Sequence, residues 1–426
     1  MEQKKFEVSK GARTGILVVL SLLWLMHMAD RFIMIVALTP IKEAFSLTDA
    51  QAGLLTSLLT AGIAIIGIPA AVFGDRWARR KVVAVMASIW SLFTLVTGLA
   101  SQFWHLVLAR FMVGSGEAGY APVGTTWLSV VFPKEARGRV MSVLYASSQL
   151  GMVIGMVGGG LLIAATHDWR VPFFVFAVPG FVLAVIALFL PDYKSVKGSG
   201  ESMLNKDFFR QWGQMFKIKS WWMISLTPAF LYFMVIGGAT WVPQLLIRQY
   251  NMDAGQAGVT YGLIQLAVLF GPIGGLLMDR WQKRYKNARP MGMALTSFLL
   301  VALTVVQMLL LGVQLPIFLA FSFVLTLLFA IFVPLLLACI GDVVPVGLRS
   351  SSTGVFNFFG QLTGATLGPI LVGAISDSLG GGAHGIQVGL LWMAPIGLLG
   401  VVTSLLLMKF YPAESTMIVD QVQAEK

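Results

Sequence analysis

The sequence predicts an all-α membrane protein with twelve transmembrane helices in two six-helix bundles. Three observations lead there. Apolar stretches of about 20 residues, each long enough to cross roughly 30 Å of hydrocarbon, recur along the whole chain. The 426 residues are 57% hydrophobic and 12% charged, too few charges to coat a soluble domain of that length. The lysines and arginines crowd into alternate loops, as a multi-pass topology requires.

Hydropathy places the spans near 14–38, 50–73, 81–101, 104–131, 139–164, 170–190, 221–247, 255–278, 290–312, 315–341, 351–376 and 386–410. One long polar connection, "PDYKSVKGSGESMLNKDFFRQWGQMFKIKS", separates an N-terminal bundle (1–190) from a C-terminal bundle (221–426), with the linker at 191–220. Most of the 30 basic residues lie at the termini, in this linker and in the loops after even-numbered spans. Lys42, Arg170 and Arg248 fall on the opposite side, and Arg31 and Arg110 lie inside spans. Basic loops stay cytoplasmic, so both termini and the linker are expected in the cytoplasm of a cell whose inner (plasma) membrane holds the chain, bacterial by expectation. The polar start "MEQKKFEVSKGARTG" leads into a full-length span without a small-residue cleavage site and does not read as a cleaved signal.

Topology also accounts for the formal charge of +11. No basic patch is interleaved with stacking aromatics, so a nucleic-acid partner is not expected. The single cysteine, Cys339, allows no intramolecular disulfide and argues against a cysteine metal site. There is no phosphate-binding loop, no metal-spaced His/Cys cluster and no serine elbow, which disfavours an enzyme, an ATP-driven pump, a metal or another cofactor.

The two halves echo each other. "GIPAAVFGDRWARR" (67–80) aligns with "GPIGGLLMDRWQKR" (271–284), and "FPKEARGRVMSVLYASSQL" (132–150) with "VPVGLRSSSTGVFNFFGQL" (344–362). A repeated half in a membrane chain suggests two bundles that rock about a central site. Asp75-Arg76-x-x-Arg79-Arg80 and its echo Asp279-Arg280, with Arg284 matching Arg80, resemble the signature loop of the major facilitator superfamily, although Ala71 stands where the first copy usually has glycine. "PIKEAFSLTDAQAGLLTS", "RFMVGSGEAGY" and "GPILVGAISD" are most similar to its spinster-type branch. "GEAGYAPVGTTWLSVVFPKEARGR" and "TWVPQLL" are also similar to its anion:cation symporter branch. The resemblance implies the major facilitator fold and alternating access. The loop acid can bond helix N-terminal amides or arginines, and its basic residues can lock the facing bundle. Asp75, Arg76, Arg79, Arg80, Asp279, Arg280 and Arg284 are therefore expected to form a cytoplasmic latch.

Charge inside the membrane carries the chemistry. Two acids lie well within spans, Asp30 in the first and Glu117 in the fourth, with the bases Arg31 and Arg110. A charge at that depth costs about 2.5–3.5 kcal/mol even on the lenient insertion scale, so such groups mark pathways or switches. Asp30 and Arg110 sit at similar depths, ~12 and ~10 Å from the outer ends of their spans. In the family's arrangement both helices line the cavity, which makes an Asp30–Arg110 pair plausible. Arg31 points about 100° away from Asp30, toward a different partner. Glu117 lies two turns from Arg110 near mid-bilayer, where burial disfavours the charged form and makes it a candidate proton carrier. His27, one turn from Asp30, is expected to bridge the two carboxyls. Asp342 and Asp377, at span ends, read as solvated or capping.

The C-terminal half has no mid-membrane charge. It offers Tyr232, Trp241, Gln244, Tyr261, Gln265, Asn357 and Gln361, which with Tyr120, Arg31 and Arg110 are the expected substrate contacts. One charged wall and one apolar wall suit an amphipathic solute with an anionic or polar head. "GMVIGMVGGG" (151–160) and "GATLGP" (364–369) permit close helix contact. The first resembles the antiporter motif of drug exporters in this superfamily, with Met156 in place of its proline. Gly237-Gly238 and Pro243 suggest a bend or unwound gate in span seven. The expectation is a proton-coupled secondary transporter, working as a monomer in the bilayer on a small organic or lipid substrate. A spinster-like lysolipid transporter leads, followed by a sugar-acid or carboxylate symporter and a drug/proton antiporter. A non-transporting membrane receptor or scaffold is the alternative from another class.

Overall fold

The computed structural model describes residues 9–192, 213, 215–344, 352 and 358–424. Its helices, in chain order, are α1 (Lys10–Phe45), α2 (Asp49–Arg76), α3 (Arg79–Gly98), α4 (Phe103–Ala118), α5 (Tyr120–Val131), α6 (Lys134–Thr166) and α7 (Val171–Leu188). They continue as α8 (Lys219–Tyr250), α9 (Ala254–Ile264), α10 (Gly271–Gln282), α11 (Ala288–Leu309), α12 (Leu315–Val343), α13 (Thr366–Ser378), α14 (Gly382–Trp392) and α15 (Ala394–Ala424). A 3₁₀ stretch (Gln265–Phe270) joins α9 to α10, and a π-helical stretch (Gln361–Ala365) leads into α13.

Among the described residues, 11 helical segments are long and apolar enough to cross a membrane. The remaining span, expected at 104–131, is built from α4 and α5, parted at Gly119. The twelve-helix architecture fits this arrangement.

Proline explains where the spans are interrupted. Its ring crowds the carbonyl four residues back, and it offers no N–H to bond it. Pro122 follows Ala118, the last residue of α4, by four positions. Pro272 stands in that relation to Val268 in the 3₁₀ stretch, and Pro369 to Ala365, the last residue of the π stretch. Pro395 does so to Leu391, one residue before α14 ends. The expected unwinding at Gly237-Gly238 and Pro243 is not found, since α8 runs unbroken from Lys219 to Tyr250. Pro228, Pro243 and the Gly237-Gly238 pair are accommodated inside that helix without a break, so the interruptions lie elsewhere.

The chain divides into two compact units, one of Met1–Leu47, Leu54–Gly200 and Met252–Leu263, the other of Thr48–Gly53, Glu201–Asn251 and Ile264–Lys426. Each follows one half of the sequence and takes a short segment from the other half. The first unit is organised around buried Leu20, Leu23, Val83, Trp90, Val113, Tyr120 and Trp127. Here α1 and α6 meet backbone to backbone: a Cβ on Gly155 would lie 2.3 Å from the Ala29 carbonyl oxygen. α4 and α2 do the same, for a Cβ on Gly114 would run into the Leu59 carbonyl oxygen. These approaches require glycine and fix the residues beside them.

The second unit buries Trp221, Trp241, Leu245 and Phe332. Its helices are stitched by neutral groups, such as Thr227 Oγ1 with Thr403 Oγ1 at 2.9 Å and Ser297 Oγ with Ser404 Oγ at 3.3 Å.

Candidate transport site

Consecutive residues on α1 point about 100° apart, so Asp30 and Arg31 serve different neighbours. Arg110 Nη1 donates to Asp30 Oδ2 at 3.3 Å, and Thr94 Oγ1, from α3, donates to Asp30 Oδ1 at 2.9 Å. Arg31 Nε donates to Glu117 Oε2 at 2.8 Å. An acid–base pair on α1 thus meets a base–acid pair on α4, where Arg110 and Glu117 share a face two turns apart. Pairing offsets the cost of taking these charges out of water.

The four members differ in exposure. The side chains of Asp30, Arg110 and Glu117 are 3%, 1% and 1% exposed, whereas Arg31 is 23% exposed. Glu117 Oε1 and Arg110 Nε are buried and, among the described residues, have no hydrogen-bond partner. The network therefore has one accessible base and one open carboxylate oxygen.

His27 does not bridge the carboxyls. Its Nδ1 lies 2.9 Å from the Trp24 carbonyl on its own helix, and its ring packs near Trp90 and Tyr120, with centroids 6.3 and 6.2 Å away. A backbone carbonyl one turn back claims the ring nitrogen before either acid can. Thr94, not singled out in the sequence, takes a place beside Asp30. A threonine in an apolar span is too common to have marked it.

Several expected substrate contacts turn out to be packed. Tyr120 is 1% exposed and its hydroxyl donates to the Leu20 carbonyl. Trp241 and Gln244 are fully buried, and the Trp241 indole N–H donates to the Pro369 carbonyl at 3.0 Å. The hydroxyl of Tyr120 and the indole N–H of Trp241 are thus taken by backbone carbonyls. Tyr261 and Gln265 are nearly buried as well. Tyr232 is half-buried, its ring edge-on to Phe329 at 6.0 Å, and Gln361 is half-buried at the start of the π stretch. Asn357 lies outside the described residues.

Of the expected latch, the side chains of Asp75, Arg76 and Asp279 lie outside the described residues. Arg79 is buried, while Arg280 and Arg284 are exposed. Arg80 turns to its own unit: its backbone N–H donates to Asp192 Oδ2 at 3.3 Å and its Nη1 to the Leu188 carbonyl at 3.4 Å. The end of α7, rather than the facing bundle, holds this arginine.

Asp342 and Asp377 do cap and pair at helix ends. Asp342 receives Arg289 Nη1 at 2.8 and 2.6 Å together with the Tyr411 hydroxyl, and Asp377 accepts the N–H groups of Asp49 and Ala50 at 2.7 and 2.8 Å.

The description Major Facilitator Superfamily belongs to the family model that matches residues 20–365. The chain belongs to the major facilitator superfamily. An MFS-type efflux pump of Mycolicibacterium smegmatis is 27% identical over 378 residues, covering 85% of this chain and 84% of the pump. The sphingosine-1-phosphate transporter SPNS2 of Xenopus tropicalis is 28% identical over 222 residues, covering 51% and 43%. The chain spans about half the length of the curated spinster relatives it matches. The crystal structure of a bacterial homolog of the human lysosomal transporter Spinster, inward-facing and occupied, superposes with a TM-score of 0.81 at 20% identity, covering 96% of this chain and 99% of that one. This member of the superfamily is a multi-pass integral membrane protein, similar in sequence to spinster proteins and in fold to a bacterial spinster homolog.

Proposed function

We propose that this transporter carries an anionic amphipathic solute, a lysolipid-like molecule foremost, and couples its movement to protons through Glu117 and Asp30. The Arg31–Glu117 pair carries the reading. Arg31 uses Nε on Glu117, and its two terminal nitrogens have no partner among the described residues, so they are free to grip an anionic head two-pronged. The anion and the Glu117 carboxylate compete for one guanidinium. A proton on Glu117 weakens its hold on Arg31, so anion binding and proton uptake favour each other, and by linkage each strengthens the other equally. Asp30 and Arg110 form the buried base of the site.

The relative named as a sphingosine-1-phosphate transporter supports an amphipathic substrate with an anionic head. In this reading both termini are cytoplasmic, the membrane is a bacterial inner membrane, the chain acts as a monomer, and the two Asp-Arg loops latch one access state. A second reading, proton-coupled efflux of drug-like amphipaths, draws on the mycobacterial efflux pump that matches along most of both chains.

Purified protein in liposomes loaded with a pH-sensitive dye tests these readings. Lysophospholipid and sphingosine-1-phosphate are added first, then small carboxylates, then lipophilic dyes. A proton signal with the lysolipids that disappears in Glu117→Gln and Asp30→Asn is expected. A signal with small carboxylates or dyes alone would move the substrate to the organic-anion or drug class. Coupled flux undiminished in both variants would overturn the proton role.

A further inference from the structure

We infer that the linker-side ends of α8 and α15 form a binding site for one anionic phospholipid, its phosphate held by Lys219 and Lys409 and its acyl chains laid along α15. The site lies within the second unit and does not depend on the charge network of α1 and α4.

α15 supplies the track. Val402, Leu405 and Leu406 are 49%, 53% and 43% exposed, and with exposed Leu398 and Leu399 they form a stripe at helical spacing. On a membrane-spanning helix such a stripe meets hydrocarbon. Lys409 follows Leu405 and Leu406 by four and three residues, so it ends the same stripe with an exposed ammonium. Tyr411 points about 200° from Lys409. It is buried and donates to Asp342, which fixes the roll of the helix at this level.

α8 supplies the second cation. The backbone N–H groups of Lys219 and Ser220 donate to the two oxygens of Glu414 on α15, at 3.0 and 2.8 Å. That clamp holds the first turn of α8 against α15. The ammoniums of Lys219 and Lys409 then share one ring, lying 5.3 and 5.9 Å from the centroid of Phe410. Lys217, two residues ahead of Lys219, is exposed as well. Beside them Phe216 and Trp222 stack at 5.5 Å, with the Trp222 indole N–H on the Phe216 carbonyl at 2.9 Å. Aromatic ledges of this kind settle at headgroup depth.

The acids nearby are already engaged. Glu414 receives the two backbone amides, and Asp342 receives Arg289 and Tyr411. Among the described residues none of Lys217, Lys219 and Lys409 pairs with a carboxylate. Unneutralised ammoniums at the foot of an apolar stripe match a phosphate that carries acyl chains and a net negative charge. A soluble anion would make no use of the stripe.

Native mass spectrometry of the purified full-length protein in neutral detergent reads the site, with phosphatidylglycerol and phosphatidylcholine of matched acyl chains as probes. One phosphatidylglycerol is expected to stay bound under conditions that strip the net-neutral phosphatidylcholine. Lys219→Gln combined with Lys409→Gln should weaken that adduct about tenfold or more. Lys219→Arg combined with Lys409→Arg should keep it. Lys10→Gln with Lys81→Gln, an equal loss of charge from exposed lysines of the first unit, should keep it too. Thermal unfolding gives an independent reading: phosphatidylglycerol should raise the midpoint of the wild type and leave the first double variant unmoved. Equal binding by that variant and the wild type would overturn the inference, as would phosphatidylcholine held as tightly. Displacement of the lipid by millimolar inorganic phosphate would also overturn it, by assigning the cations to a soluble anion.

Discussion

Arg248 and Asp49 face each other through two parallel hydrogen bonds, Nη1 to Oδ2 at 2.9 Å and Nη2 to Oδ1 at 2.8 Å. The Asp49 side chain is fully buried, Arg248 is 15% exposed, and Ser376 Oγ adds a donor to Asp49 Oδ2 at 2.6 Å. All three belong to the second unit, which also contains the Asp377 carboxylate that caps the start of α2.

The asymmetry in burial sets the expected response. Arg248→Ala strands a carboxylate with no route to water, and breaking such a pair costs about 3–5 kcal/mol. Asp49→Ala should cost less, because the guanidinium left behind is already partly solvated. The double variant should cost less than the two singles combined. Thermal unfolding of the four proteins in one detergent measures this cycle; strict additivity would mean that the pair contributes nothing jointly. Asp377→Ala, which removes the cap, should lower stability by about 1 kcal/mol.

Tyr120 and Trp241 separate a packing role from a substrate role. Each polar atom is bound to a backbone carbonyl, at Leu20 and at Pro369. Tyr120→Phe is expected to lower stability by about 0.5–1.5 kcal/mol, the net worth of one hydrogen bond, and to leave the KM for solute unchanged. A raised KM with unchanged stability would return Tyr120 to the substrate site. Trp241→Phe should follow the same pattern.

These residues show where sequence reasoning reached and where it stopped. Span number, the two halves and the four buried charges follow from hydropathy and from the high cost of burying a charge, so Asp30, Arg31, Arg110 and Glu117 could be singled out without coordinates. Helical rise gave the depth of Arg110 and the divergence of Arg31 from Asp30. The direction a neutral polar side chain faces leaves no such mark. Tyr120 and Trp241 on apolar helices read alike whether they meet a cavity or a neighbouring backbone, and Thr94 reads as filler. Asp49 was hidden differently, for it precedes an apolar run and looks like a loop acid until Arg248, 199 positions away, closes on it. The interruptions were legible in principle, since each lies just ahead of a proline. Hydropathy averages over about 20 residues and passes across them.

Close helix contact beside the charges offers another test. Gly155 stands where a Cβ would come within 2.3 Å of the Ala29 carbonyl oxygen, next to Asp30. Gly155→Leu must push α1 from α6, at a cost of about 1–3 kcal/mol for overpacking, and should disturb the Asp30 pair. Reduced thermal stability together with a lost proton signal is expected. Gly238 on α8, with nothing within 4 Å of its added Cβ, is the control. Gly238→Ala should hold or raise stability by up to about 1 kcal/mol through helix propensity alone.

Arg31 bears the most direct prediction for transport. It is the exposed member of the charge network, fixed at Nε and open at its terminal nitrogens. Arg31→Lys keeps a positive charge but replaces a planar fork with a point charge, so Glu117 and an anionic head can no longer be gripped side by side. The KM for an anionic lysolipid should rise about tenfold, equivalent to about 1.4 kcal/mol of lost binding, with kcat less affected. Arg31→Gln removes the charge for which the anion and Glu117 compete, and should uncouple solute movement from protons as well as weaken it. Uptake of lysolipid by proteoliposomes at two pH values reads both effects. If Arg31→Gln transports with wild-type KM and unchanged pH dependence, the guanidinium neither holds the head nor passes the proton's influence to it.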